Sequence, residues 1–248
     1  MNMKLKRTLQ VSGIIVGVLA LLVFGFMIKM KSEINKMTPL ETQELFDNIT
    51  SIKDTYVNMY LIKDDDKYIA IDAGDKLDNI EDSFKKLKIN PDKVTAVFLT
   101  HSDFDHVAAI ELFENAAIYF SSQEEQMING TTSRFVIVGN KIKTKAYQLL
   151  DDRQVINIGN TKIQGILIPG HTPGSMCYLI NDKYLFTGDV LSLKDGKIER
   201  FNEMFIMDIE TADKSLEKLI HFPDVEYIFT AHYGYSDDYK SAVGDWGK

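Results

Sequence analysis

The chain has 248 residues, with 36 acidic and 28 basic side chains and a formal net charge of −8. This length suits one large domain or two small ones. The acidic balance argues against a nucleic-acid partner, because phosphate backbones are bound by basic surfaces. Cys177 is the single cysteine, which excludes an internal disulfide and a cysteine-based zinc site. Its apolar neighbours predict that it lies buried in the core.

The first 31 residues differ in composition from the rest of the chain. A basic N-terminus precedes an uncharged, mostly apolar stretch from Val11 to Ile28, and Lys29 and Lys31 close it. A stretch of this length can cross a membrane as a helix. We therefore predict an uncleaved membrane anchor over 1–31, in preference to a removed leader or a buried core helix. The basic N-terminus favours a single-pass protein of the cell membrane with its domain on the extracytoplasmic side.

We predict a polar spacer at 32–43 and one domain over 44–248. Within the domain, short apolar runs predict strands, and apolar residues spaced as on one face of a helix predict helices. The predicted strands are 46–52, 56–62, 67–72, 94–99, 118–120, 135–138, 155–158, 163–168, 176–180, 184–187 and 225–229. The predicted helices are 77–87, 106–113 and 211–221. Two strand-rich halves that each carry helices predict two packed sheets flanked by helices.

The densest group of polar side chains follows the buried strand 94–99. Within six residues the chain places His101, Asp103, Asp105 and His106. Such groups are costly to bury unless a positive charge pairs with them. His101 and Asp103 are two residues apart, so both can point to the same side of an extended segment. This spacing predicts metal ligands at the end of a strand.

Three later loops offer further nitrogen and oxygen ligands. Each follows a predicted strand and contains glycine, which permits tight turns. They contribute His171, Asp189 and His232. Divalent ions of hard to borderline character bind this mixture of imidazole and carboxylate donors. The four loops together predict one metal centre.

The pattern His-x-Asp-x-Asp-His at 101–106, followed by those three residues in order, resembles the metallo-β-lactamase-fold hydrolase superfamily. The resemblance extends over about 44–234 and includes the phrases at 71–74 and 170–175. It implies an α+β fold, a four-layer αβ/βα sandwich with its site at the sheet edges. It also implies a hydrolase of a small molecule, in which a metal-bound hydroxide attacks an ester, thioester, lactone or lactam carbonyl.

The resemblance implies two divalent metal ions, zinc before others, and assigns roles by position. His101, Asp103 and His171 would hold one ion, Asp105, His106 and His232 the other, and Asp189 would bridge them. Asp105 would also be the catalytic carboxylate that orients the hydroxide and passes its proton to the leaving group. Two further candidates are Asp72, which would orient a ligand histidine or its loop, and Tyr233, which would donate to a developing oxyanion.

Asp103 departs from the family signature, which has a second histidine at that position. A carboxylate there favours iron or manganese more than a histidine does. It also leaves two other functions open: a catalytically weak metal-binding sensor, and an iron-dependent oxidoreductase relative. Ser192 stands where lactonases of the superfamily carry tyrosine, which counts against lactone hydrolysis. The pattern predicts no particular oligomeric state.

Overall fold

The computed structural model describes residues 3–134, 140, 142–144, 146–244 and 246. The chain forms two compact units, Met1–Met37 and Thr38–Lys248. The strand predicted at 135–138 lies outside the described residues.

The first unit is one long helix, α1 (Met3–Ile34). Its segment Ser12–Ile34 has 23 residues, and an 18-residue window within it has a mean hydropathy of 2.4. At ~1.5 Å per residue this segment is about 34 Å long, enough to cross a hydrocarbon core of about 30 Å. Its length and composition suit a membrane anchor or a signal sequence.

The second unit begins at Thr38, within the stretch predicted as a spacer. The backbone N–H of Thr38 donates to the carbonyl of His232 at 2.8 Å, and the N–H of Leu40 donates to the Asn58 side chain at 2.8 Å. These bonds attach residues 38–40 to the domain.

One sheet has seven strands in the order in which they occur in the sequence. They are β1 (Gln43–Phe46), β2 (Ile49–Asp54), β3 (Val57–Asp64), β4 (Lys67–Ile71), β5 (Val94–Phe98), β6 (Ala117–Ser121) and β7 (Gln148–Leu150). The pairs from β1 to β4 are antiparallel, and those from β4 to β7 are parallel.

The other large sheet has six strands in the spatial order β15-β14-β11-β10-β9-β8. They are β8 (Val155–Ile158), β9 (Thr161–Leu167), β10 (Met176–Ile180), β11 (Tyr184–Phe186), β14 (Tyr227–Phe229) and β15 (Tyr235–Ser236). A separate hairpin consists of β12 (Leu191–Lys194) and β13 (Lys197–Arg200). Its Asp195-Gly196 turn has positive φ at both residues, the conformation that Asp-Gly hairpin turns require. The sequence reading did not include this hairpin.

The helices pack on the outer faces of the two sheets. They are α2 (Leu77–Leu87), α3 (Phe104–Val107), α4 (Glu125–Ile128), α5 (Ile209–Leu216) and α6 (Tyr239–Val243). Ile80 and Phe84 of α2 join the apolar cluster on the first sheet, and Leu216 of α5 joins the cluster on the second. Helices therefore cover both sheets from outside, as the predicted sandwich requires.

A third apolar cluster fills the space between the sheets. In β10, Met176, Tyr178 and Ile180 belong to this inner cluster, whereas Cys177 and Leu179 belong to the outer cluster on the second sheet. A strand buried on both faces reads as an unbroken apolar run, because its alternate side chains enter different cores. Cys177 is fully buried, as predicted.

Two predicted helices are shorter than their spacing indicated. Residues 106–113 contain the end of α3 and a separate 3₁₀ turn, Ile110–Phe113. The helix breaks because the N–H groups of Ala108 and Ala109 donate to Gly74 and Ala73 instead of to their own helix. Residues 211–221 divide in the same way into α5 and a 3₁₀ turn, Glu217–His221.

Candidate metal centre

The seven predicted ligands lie together at the ends of four strands. They follow β5, β9, β11 and β14, whose closing residues meet at one edge of the two sheets. Hydrogen bonds join these loops directly. The N–H of Met176 donates to the carbonyl of Thr100 at 2.9 Å, and the N–H of Thr187 donates to the carbonyl of Phe229 at 2.9 Å. These bonds hold the loop after β5 against the start of β10, and the loop after β11 against the end of β14.

One group of ligand atoms consists of His106, His232, Asp105 and one oxygen of Asp189. Asp189 Oδ1 is 3.0 Å from His232 Nε2 and 3.3 Å from His106 Nε2. Asp105 Oδ2 is 3.6 Å from His232 Nε2 and 3.7 Å from His106 Nε2. We call these four residues the second group.

The remaining atoms form a neighbouring cluster, the first group: His101, Asp103, His171 and the other oxygen of Asp189. His171 Nε2 is 3.1 Å from both His101 Nε2 and Asp103 Oδ2. Asp189 Oδ2 is 3.5 Å from His171 Nε2 and 4.0 Å from His101 Nε2. Asp189 thus faces each group with a separate oxygen.

The two groups contain four histidines, and three of these have a hydrogen bond at Nδ1, the ring nitrogen that points away from the group. His106 Nδ1 lies 2.8 Å from Asp72 Oδ2, and His232 Nδ1 lies 2.7 Å from the backbone carbonyl of Tyr56. A carboxylate and a carbonyl only accept, so each Nδ1 donates and leaves the Nε2 lone pair for a cation. His101 Nδ1 lies 3.0 Å from Thr100 Oγ1.

Asp72 connects two of these rings. Besides His106, it accepts bonds from the Thr100 N–H at 2.7 Å and the Thr100 hydroxyl at 2.9 Å. The same hydroxyl contacts His101, so one buried carboxylate contacts one ligand ring directly and another through Thr100. This is the place predicted for a residue that orients the ligand histidines.

The carboxylates around the second group raise the pKa of both of its histidines. Burial acts to lower the pKa of His106, but the charges of Asp189, Asp72 and Asp105 outweigh it and raise the pKa well above the usual value. The pKa of His232 is raised in the same way by Asp189 and Asp105, against burial. Burial acts to raise the pKa of Asp189, yet His232 and His106 hold it well below its usual range.

In the first group, the pKa values of His171 and Asp103 are both lowered. Burial lowers the pKa of His171 to about 4, despite its hydrogen bond to Asp103. Burial acts to raise the pKa of Asp103, but hydrogen bonds to His101 and His171 hold it well below its usual range. The first group therefore contains a neutral imidazole beside an ionised carboxylate at neutral pH.

Arg134 and Asn140 contact Asp103 of the first group, and the sequence analysis missed both. Arg134 Nη2 donates to Asp103 Oδ2 at 2.6 Å, and Asn140 Nδ2 donates to Asp103 Oδ1 at 3.0 Å. Arg134 also donates to the carbonyl of Phe205. These residues lie 31 and 37 positions from Asp103, so no local pattern in the sequence could have associated them with it.

Glu124 links two ligand loops and was likewise missed. One of its oxygens accepts from the Ser102 N–H at 2.8 Å, and the other accepts from the Thr172 hydroxyl at 2.7 Å. Glycine at position 174 allows its loop to lie against the backbone of Glu124, because a Cβ at this position would lie 2.1 Å from the backbone nitrogen of Glu124. Glu124 is 1% exposed, so these hydrogen bonds compensate for the burial of its charge.

Two tyrosines lie near His232, and they differ in their surroundings. The ring of Tyr233 packs 6.2 Å from that of Phe201, among apolar side chains beside the second sheet. The ring of Tyr56 stacks on the imidazole of His232 at 5.8 Å. Burial and the charges of Asp105 and other carboxylates raise the pKa of Tyr56, so its hydroxyl remains a donor at neutral pH.

The second group fits a divalent cation. Within the described part of the chain, three of its buried atoms, His106 Nε2, His232 Nε2 and Asp189 Oδ1, have no hydrogen-bond partner. Buried polar atoms are otherwise satisfied in proteins. Tetrahedral zinc with bonds of about 2.0–2.1 Å places its ligand atoms roughly 3.3 Å apart, close to the separations of 3.0–3.7 Å here.

Curated relatives of this chain include several named hydrolases. The probable polyketide biosynthesis zinc-dependent hydrolase PksB of Bacillus subtilis (strain 168) is 35% identical over 126 residues, which cover 50% of this chain and 49% of the relative. The probable metallo-hydrolase YqgX of the same strain is 28% identical over 186 residues, covering 71% and 84%. A hydroxyacylglutathione hydrolase of Buchnera aphidicola subsp. Baizongia pistaciae (strain Bp) is 27% identical over 193 residues, covering 77% and 64%. The chain spans about half the length of the polyketide-biosynthesis relatives it matches.

Solved structures with the same fold include B3 metallo-beta-lactamases. One that is described as having an active-site glutamic acid superposes with a TM-score of 0.67 at 18% identity, over 88% of this chain and 89% of that chain. BLEG-1 superposes with a TM-score of 0.60 at 24% identity, over 76% and 93%. At these identities the likeness shows the fold, and it confirms the predicted four-layer sandwich.

The family model described as the metallo-beta-lactamase superfamily matches residues 52–232. This match confirms the predicted resemblance, and the names of the relatives, which are all hydrolases, agree with the prediction of a metallo-hydrolase. On this evidence of sequence and fold, the chain belongs to the metallo-beta-lactamase superfamily.

Proposed function

We propose that the chain is a membrane-anchored, metal-dependent hydrolase of ester, thioester, lactone or lactam bonds. The observation that carries this proposal is the convergence of His106 Nε2, His232 Nε2 and Asp189 Oδ1, all buried without a hydrogen-bond partner among the described residues. Neutral imidazoles and a carboxylate in this arrangement are the donors that a catalytic zinc site uses.

Two divalent ions, most readily zinc, would be held by the second and first groups, with one Asp189 oxygen toward each. When bound, such a cation lowers the pKa of a coordinated water to about 7 and polarises a carbonyl oxygen. Asp103 in the first group makes iron or manganese the other candidates.

Within the chain itself, Asp105 is the residue that we assign to proton transfer. Its carboxylate borders His106 and His232 yet is 18% exposed, more than either of them. It can therefore reach both the metal centre and an incoming substrate. We propose that Asp105 accepts a proton from the attacking water and delivers it to the leaving group.

Asp72 and Tyr56 support that step. Asp72 holds the rings of His106 and, through Thr100, His101. The Tyr56 hydroxyl, protonated at neutral pH, supplies a donor for the negative charge that develops on the substrate oxygen. We propose Tyr56 for this role in preference to Tyr233, whose ring packs among apolar side chains.

The substrate class rests on the relatives. Their names specify hydrolysis of hydroxyacylglutathione and zinc-dependent hydrolysis in polyketide biosynthesis. The first of these names contains an acyl group, so we propose an acyl ester or thioester first and a lactam second. For α1 we propose an uncleaved single-pass anchor, with the hydrolase domain on the extracytoplasmic side because the N-terminal end of the helix is basic.

The test uses the full chain in detergent, stripped with a chelator and reloaded with zinc. A panel of chromogenic ester, thioester, lactone and lactam substrates is assayed for the wild type, His106→Ala and Asp105→Asn. We expect turnover to fall at least 10³-fold in both variants. Asp182→Asn is the matched control, an exposed turn carboxylate paired with Lys162, and should retain full activity.

Three outcomes have distinct meanings. Turnover that needs zinc and is lost in both variants supports the hydrolase. Zinc binding without turnover on any substrate class supports the metal-binding sensor instead. Iron as the metal retained by the purified chain, with oxygen consumption, supports the oxidoreductase.

A further inference from the structure

The Arg134 guanidinium lies against the first group. Its Nη2 is 2.6 Å from Asp103 Oδ2, 3.2 Å from His171 Nε2 and 3.2 Å from the His171 carbonyl. The side chain is only 15% exposed, and a guanidinium remains protonated in proteins. A fixed positive charge therefore occupies the border of a group that resembles a cation site.

This guanidinium lies against the atoms that a cation would need. A neutral imidazole has a lone pair on only one of its ring nitrogens, and Arg134 Nη2 lies 3.2 Å from His171 Nε2, the nitrogen that faces the other ligand atoms of this group. The other oxygen of Asp103 accepts from Asn140 at 3.0 Å. Two positive charges that share these atoms also repel each other strongly in a poorly hydrated site.

His171 differs from the other ligand histidines in a second way. Its Nδ1 is buried and has no hydrogen-bond partner among the described residues. The outer nitrogens of His101, His106 and His232 all have one. Because such bonds orient a ligand ring and raise its affinity for metal, the first group is the less organised of the two.

The second group shows the opposite properties. The outer nitrogens of its histidines are hydrogen-bonded, and its inward atoms, His106 Nε2, His232 Nε2 and Asp189 Oδ1, have no hydrogen-bond partner in the described part of the chain. The ion pair of Arg134 is with Asp103, which is not a member of this group. The two groups are therefore prepared unequally for a cation.

We propose that Arg134 and a cation in the first group are mutually exclusive. The chain then holds one divalent ion tightly at Asp105, His106, His232 and Asp189, and takes up a second only when Arg134 withdraws from Asp103 and His171. In the one-ion state, Arg134 supplies the second positive charge of the site. This inference rests on the proposed metal centre and specifies how its two halves fill.

The experiment measures metal binding and not activity. The chelator-stripped full chain in detergent is titrated with Zn²⁺ against a chromophoric competitor, and retained zinc per chain is measured after dialysis. The variants are Arg134→Ala and Arg134→Gln, the second of which removes the charge and keeps most of the length. Arg153→Ala, at an exposed arginine in the turn before β8, is the matched control.

For the wild type and the control we expect one retained zinc and a second binding step at least tenfold weaker. Each Arg134 variant should strengthen the second step at least tenfold and change the first less than threefold. Two tight and comparable equivalents in the wild type would overturn the inference without any variant, and so would a second step unaffected in both variants. Failure of the wild type to bind zinc at all would instead overturn the proposed metal centre.

Discussion

Asp72→Asn is the sharpest test of how the ligand histidines are oriented. Asp72 is 2% exposed and accepts from the Thr100 N–H, the Thr100 hydroxyl and His106 Nδ1 at 2.7–3.0 Å. Asparagine keeps the shape and tolerates the positive φ of 61° at this position. Its NH₂ group, however, must face either Thr100 or His106, both of which donate, so one buried donor is left without an acceptor.

Two effects of different size follow from this change. An unsatisfied buried donor and the loss of charge-assisted bonds should reduce the free energy of unfolding by about 2–4 kcal/mol. Loss of the partner that orients a ligand histidine typically lowers metal affinity by about 10–100-fold. We therefore expect the zinc dissociation constant of the tight site to rise by at least tenfold.

The assay combines urea unfolding of the stripped protein with zinc titration against a competing chelator. Asp54→Asn is the matched control, since Asp54 is fully buried and accepts from the N–H groups of Asp75 and Lys76 and from Asn79, without touching a ligand histidine. It should lose comparable stability and keep its zinc affinity. Equal losses of zinc affinity in both variants, or none in Asp72→Asn, would refute the orienting role.

Three further outcomes are expected. Phe104 is 69% exposed between two candidate ligands. Phe104→Ala should raise KM for the preferred substrate several-fold, with little change in kcat or stability. A decrease in kcat without a change in KM would contradict a contact between Phe104 and the substrate. Glu124→Gln should destabilise the stripped protein by about 2–3 kcal/mol in urea, because the NH₂ group of the glutamine must face the N–H or O–H donors of Ser102 or Thr172. An unchanged unfolding midpoint would show that the Glu124 carboxylate does not hold the two loops together. The pKa of His106 is raised in the folded state. Protonated His106 therefore contributes fully to the stability of the stripped protein below its unfolded-state pKa of about 6.5. This contribution is lost as the pH rises through the folded-state pKa. The difference in melting temperature between the wild type and His106→Gln, measured in chelator from pH 6 to 9, should therefore shrink toward alkaline pH, and a growing difference would show that the sign is wrong.

Much of the fold was predictable because it follows from local patterns. The runs that became β5 and β10 are apolar on both faces, and a segment of this kind has no stable place except between two layers. The candidate ligands at 101–106 could be identified from the sequence because imidazoles and carboxylates are rarely concentrated directly after a buried strand. The resemblance to the superfamily then added the grouping of residues that lie far apart in the chain.

The tertiary structure alone decided which atoms meet. The break after α3 arises because loop carbonyls at Ala73 and Gly74 accept the N–H groups that a longer helix would have used. The division of the two Asp189 oxygens between the groups depends on loops that follow different strands. Arg134 reaches Asp103 and Glu124 joins two ligand loops across separations of 22 residues or more. The periodicity of a helix or strand relates residues a few positions apart, so only the packing of the sheets could place a guanidinium against one group of candidate ligands and not against the other.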